Sequence, residues 1–458
     1  MNIGLLALSG IRVVDEELVS LGLTLPGFVE RSEVIASLPS LGLLTLAALT
    51  PPEHEVEYLE VPNPRSLEAL PNGFDLVAIS SYSAQILEAY ELADRYRAQG
   101  TSVVIGGPHA TVLPGEAALH CHSVVLGEGE PCWGRLLSDF EAGEPERVYD
   151  GRPHDFDLAE APVPSYELLD IPSYNRLTVQ ASRGCPHRCE FCASSVILTD
   201  RYKQKPVQNV VAEIDRILEI WDEPFIEFAD DNAFVNHAYW KHLLSELGDR
   251  RFRWFAETDL SVARDPELLR MMRDSGCAQV LIGFESPVPG GLAGLERHND
   301  WKLRHYEEYR AAIDTIQSHG VTVNGCFVIG LDGHTDRIFD QVYDFVRDSG
   351  LYEVQVTVLT PFPGTPLYDR LEREDRLLEP GAWDRCTLFD VNFQPSHMSP
   401  SELAGGFRDL VGRLYGEEFT QWRRDNYWKA QGGRSERPAR HKPPPRPESK
   451  PPHNGAPA

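Results

Sequence analysis

The sequence predicts an α/β protein with two consecutive parallel-sheet domains. Short apolar strands alternate with amphipathic helical stretches in residues 1–142 and again in residues 177–364. Turns rich in Gly, Ser and Pro follow the predicted strand ends. Parallel strands joined by helices produce this alternation. The chain has 458 residues, 42% of them hydrophobic, so it is long enough to bury two substantial cores.

Residues 1–142 are predicted to form a doubly wound parallel sheet. A helical stretch, Ala84–Gln99, separates two of its strands. Ligands of such sheets bind beyond the carboxyl ends of the strands, where the Gly- and Ser-rich turns lie. The strands are expected at Ile3–Leu8, Glu55–Val61, Leu76–Ser80, Ser102–Gly106 and Val124–Leu126.

Residues 143–176 are expected to be an ordered connector, because the periodicity fades there and prolines and acidic residues accumulate. Residues 177–364 then repeat the strand–helix pattern six times, which predicts a partial barrel with its reactive end at the carboxyl edge. Its strands are expected at Leu177–Ser182, Phe225–Ala229, Phe252–Glu257, Gln279–Phe284, Val321–Ile329 and Glu353–Leu359. One helical face is expected to carry Val207, Val210, Val211, Ile214, Ile217, Leu218 and Trp221.

The alternation stops beyond the barrel. Residues 365–431 are expected to form a small helical extension, with a helix starting at Ser399-Pro400-Ser401-Glu402. Residues 432–458 contain eight prolines, six basic residues and two acidic residues. This composition cannot bury a core, so the tail is predicted to be disordered.

The charge of the chain argues against two classes of partner. There are 43 basic and 70 acidic residues, and the formal net charge is −27. Nucleic-acid backbones and anionic membranes attract the opposite sign, so neither is expected as the principal partner. No apolar run reaches 18 residues, and Met1–Leu8 lacks a basic flank. We therefore expect a cytoplasmic protein without a secretory signal or a transmembrane segment.

Three of the eight cysteines form the motif C-x₃-C-x₂-C after the first barrel strand: Cys185, Cys189 and Cys192. Three thiolates on one loop can ligate three irons of a [4Fe–4S] cluster and leave the fourth iron open. The alternative is a zinc site or a closed redox cluster. Zinc would need a fourth ligand, and His187 lies within the same tight loop.

The motif and its position resemble the radical S-adenosylmethionine (SAM) superfamily, in which the open iron binds the amino and carboxylate groups of SAM. The resemblance implies that polar residues after the second strand bind the SAM amino group, that an acid after the fourth strand binds the ribose, and that a glycine after the fifth flanks the adenine. Alone, such acids are more often loop residues or helix caps. The implied SAM-binding residues are Phe191, Asp230, Asp231, Asn232, Glu285 and Gly330.

The layout of residues 1 to about 430 resembles cobalamin-binding-domain radical SAM enzymes, including the hopanoid methylases. The motifs are Gly106-Gly107-Pro108-His109, Gly127-Glu128-Gly129-Glu130, the barrel end Thr360–Tyr368 and the later Pro395–Ser399. The alternative for the glycines is a role in tight turns. The resemblance gives His109 no role as a cobalt ligand. The implied cobalamin contacts are Ser80, Ser81, Tyr82, Gly106, Gly107, Thr111, Gly127 and Glu128.

The resemblance implies reductive cleavage of SAM, hydrogen abstraction from a substrate and cobalamin-dependent C-methylation of an unactivated carbon in a small molecule or lipid. It also implies a flavodoxin or ferredoxin as electron donor. One alternative is radical oxidation, cyclisation or rearrangement without methyl transfer, and another is a non-catalytic cobalamin or redox sensor. A methylthiotransferase acting on tRNA is disfavoured by the acidic charge of the chain. Such enzymes also need a second cysteine cluster upstream of the motif, and here only Cys121 and Cys132 precede it.

The residues expected inside the barrel do not name a substrate. They are Trp254, Phe255, Thr258, Asn324 and Thr357.

Overall fold

The computed structural model describes residues 1–8, 13–20, 38–194, 197 and 201–432. The tail predicted to be disordered lies outside these residues, apart from Gly432. Two six-stranded sheets form the centre of the described structure, and all neighbouring strands within each sheet are parallel. Among the described helices, none has the length and apolar character needed to cross a membrane.

The first sheet has the strand order β2-β1-β3-β4-β5-β6. The chain starts at an inner strand and winds outward in both directions, which confirms the predicted doubly wound arrangement. In this order the topological switch point lies between β1 and β3, and ligands bind there at the carboxyl edge. The strands are β1 (Asn2–Leu8), β2 (Glu55–Val61), β3 (Leu76–Ser80), β4 (Ser102–Gly106), β5 (Ser123–Leu126) and β6 (Val148–Asp150).

Helices cover both faces of this sheet. Leu5 packs in one hydrophobic cluster and its neighbour Leu6 in another, because successive strand residues point to opposite faces. The sixth strand, β6, comes from the segment predicted as a connector, and only its Tyr149 is buried. The helices are α1 (Glu16–Ser20), α2 (Leu41–Leu49), α3 (Ile86–Ala98), α4 (Pro108–Val112), α5 (Pro114–Ala117) and α6 (Glu130–Ala142).

The second sheet has the order β14-β13-β12-β11-β10-β7, so successive units of the chain lie side by side. This is the order of a six-stranded partial barrel. A short antiparallel pair, β8 and β9, follows the first strand. The strands are β7 (Leu177–Val179), β8 (Ser182–Arg183), β9 (Lys203–Gln204), β10 (Phe225–Phe228), β11 (Arg253–Thr258), β12 (Cys277–Glu285), β13 (Thr322–Ile329) and β14 (Glu353–Val358).

Helices pack on the outer face of the second sheet. The first of them, α7, buries Val210, Ile214 and Ile217 as predicted, whereas Leu218 and Trp221 are half-buried. Trp254 also lies on this outer face, where it packs against Trp240, so its predicted place inside the barrel is wrong. The helices are α7 (Val207–Ile220), α8 (His237–Leu247), α9 (Pro266–Asp274), α10 (Pro289–Leu292), α11 (Trp301–Arg304), α12 (Tyr309–Ser318), α13 (Ile338–Ser349) and α14 (Pro366–Arg373).

The carboxyl-terminal extension contains α15 (Pro400–Tyr415) and α16 (Glu417–Ala430). Ser399 and Glu402 form a capping box, as the sequence predicts for the start of α15. The extension also contacts the first domain, because the Asp390 carboxylate accepts hydrogen bonds from the backbone of Val14 (3.0 Å) and Asp15 (2.9 Å).

Candidate functional site

The cluster motif forms a loop after β8. All three of its cysteines are free thiols; Cys189 is buried, and Cys185 and Cys192 are half-buried. The backbone N–H of Cys192 donates to the carbonyl of Cys189 (3.1 Å), which curls the loop. Cys189 also forms a β-bridge with Glu296 from the segment after β12. The thiols are thus held on a loop that is anchored to a second part of the barrel.

Two acids after β10 accept hydrogen bonds from residues on either side of the cluster motif. Asp231 accepts hydrogen bonds from the Gly184 N–H (2.7 Å), just before the motif, and from the Ser194 hydroxyl, just after it. Asp230 is buried and accepts from the N–H and hydroxyl of Ser182. Burial raises the pKa of Asp230 to about 7, although the bonds from Ser182 act in the opposite direction. Both carboxylates have protein partners, and their contact with SAM stays a prediction.

Asn232 lies directly beside the cluster motif. Its Nδ2 is 3.9 Å from Cys185 Sγ and donates to Asp259 Oδ2 (2.9 Å). His187 Nε2 lies 2.8 Å from the same Asp259 oxygen. Burial alone would raise the pKa of Asp259, but hydrogen bonds from His187, Ser261 and Asn232 bring it well below its usual range. His187 is therefore engaged by a carboxylate, which weakens the zinc alternative.

Glu285 ends β12 at a register shift, and its φ of 61° is unusual for a residue with a side chain. Such bulges re-aim side chains near functional sites. The Glu285 carboxylate is buried and forms an ion pair with Lys302 of α11. A side chain at Gly283 would collide with both charged groups, so the glycine leaves room for the pair. The sequence interpretation missed Lys302.

The last two predicted SAM residues, Phe191 and Gly330, pack against other parts of the protein. Phe191 is half-buried and packs against the barrel core. Gly330 follows β13 with φ 99°, and a Cβ there would lie 2.9 Å from the Phe393 ring. Its N–H donates to His334 Nδ1 (3.3 Å). Both assignments stay predictions.

The predicted cobalamin contacts line the carboxyl edge of the first sheet. Ser80 ends β3 at the switch point, followed by Ser81, which is buried and donates to the Tyr82 carbonyl (3.1 Å). The Tyr82 side chain is 63% exposed. The Thr111 hydroxyl donates to the Gly107 carbonyl (2.9 Å) and accepts from the Gly127 N–H (2.9 Å). Tyr82 is therefore the accessible group of this set, whereas the Thr111 hydroxyl joins two turns.

Local packing explains why glycine is found at two of the three predicted glycine positions at this edge of the first sheet. A Cβ at Gly107, where φ is 102°, would lie 2.7 Å from the Ser81 carbonyl oxygen. A Cβ at Gly127 would lie 2.7 Å from Arg152 Cγ, and one at Gly106 would make ordinary contact with Val125. Tight turns thus account for Gly107 and Gly127, and contact of all three glycines with cobalamin stays a prediction.

The carboxyl edges of the two sheets meet. Glu128, which follows β5, accepts from Arg183 Nη1 (2.6 Å) and pairs with Lys203 (3.1 Å), both on the β8–β9 hairpin. Tyr82 also lies near the barrel, because the charge of Glu227 on β10 acts on its side chain. The Tyr82 ring, which is 63% exposed, therefore projects into the cleft between the two carboxyl edges.

Family models match each of the two sheet domains and the carboxyl-terminal region. The Radical SAM superfamily matches residues 179–346, the B12 binding domain matches residues 32–135, and a domain of unknown function, DUF4070, matches residues 365–450. The chain is 29% identical over 393 residues to the bacteriochlorophyllide d C-12(1)-methyltransferase of Chlorobaculum tepidum, covering 82% of each chain. The chain belongs to the cobalamin-binding-domain radical SAM enzymes.

Two further comparisons agree with this family. The radical SAM enzyme described here is 27% identical to the hopanoid C-2 methylase of Rhodopseudomonas palustris, over 84% of this chain and 73% of the relative. Its fold is similar to the radical SAM methyltransferase TsrM from Kitasatospora setae, solved with cobalamin and a [4Fe–4S] cluster. That structure superimposes with a TM-score of 0.66 at 17% identity, over 91% of this chain and 89% of TsrM, and shows the fold.

The two domains of this radical SAM enzyme imply a [4Fe–4S] cluster, SAM and cobalamin. The cluster fits the three free thiols on one anchored loop, where the adjacent imidazole of His187 is already engaged. Among the described residues, no three His, Cys, Asp or Glu side chains are grouped to hold a single metal ion. Cobalamin fits the switch-point edge, where Tyr82 presents an exposed ring to the cleft.

The inner face of the barrel carries polar residues that the sequence interpretation overlooked or left unassigned. Glu227 on β10 pairs with the buried Arg176 (2.6 Å). Glu257 on β11 faces the cleft and has no partner among the described side chains. Glu257 is exposed, and the nearby charges of Glu227, Asp231 and Glu285 act to raise its pKa. Asn324 Oδ1 and Thr178 Oγ1 are buried without a partner within the described ranges.

Glu257 and Asn324 share a row of the sheet. Glu257 is in register with Leu281, and Leu281 is in register with Asn324. Residues in register on parallel strands point to the same face, so these three line the interior together. Polar residues at every second position of otherwise apolar strands were the signal that would have found Glu227 and Glu257.

Proposed function

We propose that this radical SAM enzyme methylates an unactivated carbon of a small molecule or lipid. The observation that carries the proposal is the meeting of the two carboxyl edges, fixed by the Arg183–Glu128 contact of 2.6 Å. A substrate in the cleft between these edges would lie next to both cofactor sites. The relatives named as a bacteriochlorophyllide C-12(1)-methyltransferase and a hopanoid C-2 methylase support methyl transfer to carbon.

The barrel interior supports a substrate of mixed polarity. Phe255 and Leu281 provide apolar contacts, while Glu257 and Asn324 provide polar atoms without partners among the described residues. A buried amide oxygen without a hydrogen bond is costly, so a bound molecule that donates to Asn324 would be favoured. We expect the substrate to present a hydrogen-bond donor on an otherwise apolar framework.

When bound, the cluster with SAM supplies hydrogen abstraction and cobalamin supplies the methyl group. The residues of the chain hold these groups and exclude water. Asp231 fixes both ends of the cluster loop through Gly184 and Ser194. Glu285 is the acceptor proposed for the SAM ribose. A flavodoxin or ferredoxin is the proposed electron donor.

The test uses anaerobic holoenzyme, a reductant, SAM with a deuterated methyl group and a metabolite extract from a strain that lacks the gene. We expect one extract component to gain the labelled methyl group and 5′-deoxyadenosine to form alongside. Enzyme prepared without cobalamin is the control and should transfer no label. Formation of 5′-deoxyadenosine with a changed but unlabelled component would contradict methyl transfer and indicate oxidation, cyclisation or rearrangement.

A further inference from the structure

Glu257 on β11 is the carboxylate of the inner barrel face that has no hydrogen-bond or ion-pair partner among the described residues. It is exposed, although β11 is a central strand that lies between β10 and β12. Phe255, two residues earlier on the same face, is only 7% exposed. A side chain at the centre of a sheet stays exposed only where no other element covers it. Glu257 therefore faces an open space within the barrel.

The two buried cations of this interior are already paired with acids. Arg176 pairs with Glu227 of β10 (2.6 Å), and Lys302 pairs with Glu285 at the end of β12. Neither cation is therefore available to compensate the charge of Glu257. Covering a carboxylate without a counter-charge is unfavourable. A molecule that fills the space above Glu257 is therefore favoured if it brings a positive charge.

A second side chain of the same row also indicates a bound molecule. Asn324 is 4% exposed, and its Oδ1 is buried without a partner among the described residues. It lies two strands from Glu257, which places the two backbones about 10 Å apart. A neutral hydrogen-bond donor on the substrate would satisfy this amide oxygen. Such a donor would not compensate the charge of Glu257, so the two residues fit different groups.

Glu257 lies close to the cluster loop. Asp259, two residues further along the chain, has a carboxylate oxygen 2.8 Å from His187 Nε2 of the cluster motif. The same oxygen accepts from Asn232 Nδ2 (2.9 Å), which is itself 3.9 Å from Cys185 Sγ. Two extended residues span about 7 Å. A molecule that binds at the cluster and extends into the barrel therefore passes over Glu257.

We propose that Glu257 compensates the sulfonium charge of SAM. The sulfur of SAM carries a permanent positive charge and joins the amino-acid part of the molecule to its nucleoside part. It carries no hydrogen, so only nearby negative charge or oriented dipoles can stabilise it. The strand β11 lies between β10, which leads to the cluster loop contacts, and β12, which ends at Glu285, the acceptor proposed for the ribose. The sulfur that links these two parts is therefore expected above β11.

The test compares the binding of SAM and of S-adenosylhomocysteine to the anaerobically reconstituted full chain by equilibrium dialysis. S-adenosylhomocysteine lacks the methyl group on sulfur and the positive charge, and is otherwise the same molecule. The cluster is kept oxidised and cobalamin is kept as Co(II), so that SAM is neither cleaved nor demethylated. We expect Glu257→Gln to weaken SAM binding about tenfold and to leave S-adenosylhomocysteine binding within about twofold, because only SAM loses a charge interaction.

Two further variants separate charge from other effects. Glu257→Asp keeps the charge and should weaken SAM binding less than Glu257→Gln does. Glu307→Gln changes an exposed acid of the segment between α11 and α12, and should bind both molecules as the unmodified protein does. If Glu257→Gln does not retain the cluster, Glu257→Ala takes its place and should lose the same preference for SAM.

Equal weakening of SAM and S-adenosylhomocysteine would overturn the proposal, because it would show a contact that does not depend on the sulfonium charge. Unaltered SAM binding would also overturn it and would leave Glu257 to the substrate. The proposal rests on the cluster and SAM assignments but not on methyl transfer. A failure to transfer methyl groups would leave the binding result intact.

Discussion

At the scale of single residues, Glu285 has a buried carboxylate that pairs with Lys302 and is the proposed acceptor for the SAM ribose. We predict that Glu285→Ala weakens SAM binding by about 1.5–3 kcal/mol, because the ribose loses a charged acceptor. Equilibrium binding of SAM to the anaerobic reconstituted protein measures the effect. Glu307→Ala, which changes an exposed acid, is the control. Unaltered SAM affinity at unaltered iron content would show that Glu285 is not the ribose acceptor.

His109 lies in a glycine turn of the first domain but is not free to bind cobalt. Its Nδ1 lies 3.0 Å from Ser83 Oγ, its Nε2 lies 3.3 Å from Glu116 Oε1, and its ring packs 5.3 Å from Trp383. We therefore predict that bound Co(II) cobalamin has no histidine beneath the metal. Electron paramagnetic resonance of protein grown with and without ¹⁵N-histidine tests this. A nitrogen splitting that changes with the label would contradict it.

Residue roles could be predicted where they depend on local spacing. The three cysteines lie within eight consecutive positions, and their spacing alone suggests the cluster. The ion pair between Lys302 and Glu285 joins residues 17 positions apart, in the short helix α11 and at the end of β12. No periodic pattern links them, because the β12 bulge and the turn at Asp300 bring them together. The sequence therefore suggested the acid and not its partner.

At the scale of elements, a buried contact joins the loops after β12 and β13. Ser286 Oγ lies 2.9 Å from His334 Nε2. Burial lowers the pKa of His334 from 6.5 to about 4, so the folded protein holds the neutral ring. The unfolded chain gains a proton below about pH 6.5. The neutral His334 ring therefore contributes to the free energy of unfolding above about pH 6.5, and this contribution is lost as the pH falls to about 4.

We predict that the free energy of unfolding falls by up to roughly 3 kcal/mol over this interval because of His334. His334→Gln should be less stable at pH 7 but show a smaller loss between pH 6.5 and pH 4. Thermal unfolding at several pH values measures the difference. His242→Gln, on the exposed face of α8, should retain the original pH dependence. Equal pH dependence in His334→Gln and the unmodified protein would contradict the prediction.

A comparison of predicted and observed strands shows which elements could be predicted from the sequence. The predicted bounds of β2, β3 and β4 agree with the structure because each is an apolar or alternating run that ends at turn residues. The strand β6 was missed because it has only three residues and one buried side chain, Tyr149. Its pairing with β5 is a long-range contact in a segment without periodicity. Tertiary packing, not local preference, forms this strand.

At the scale of the whole molecule, ion pairs hold the two sheet edges together. Arg183 reaches Glu128 (2.6 Å) and Glu130 (2.9 Å), and all three side chains are largely buried. Removing both acidic charges leaves the largely buried guanidinium without a counter-charge from these two residues, and the neutral Gln180 oxygen that also accepts from it does not replace them. We predict that Glu128→Gln combined with Glu130→Gln loosens the contact between the domains.

Hydrogen exchange at the β8–β9 hairpin measures this loosening and should be faster in the double variant. Glu144→Gln changes an exposed acid beyond α6 and should leave the exchange rates unchanged. Unaltered exchange in the double variant would show that the ion pairs do not hold the edges together.

The account depends most on the cluster loop, where Cys185, Cys189 and Cys192 are predicted to ligate a cluster that cleaves SAM. The most direct test is 5′-deoxyadenosine formation by anaerobically reconstituted protein with SAM and dithionite, together with iron content. We predict one [4Fe–4S] cluster and steady formation of 5′-deoxyadenosine in the unmodified protein. The variant with all three cysteines changed to Ala should have neither, whereas Cys277→Ala should keep both. Cluster iron or 5′-deoxyadenosine in the triple variant would contradict the account.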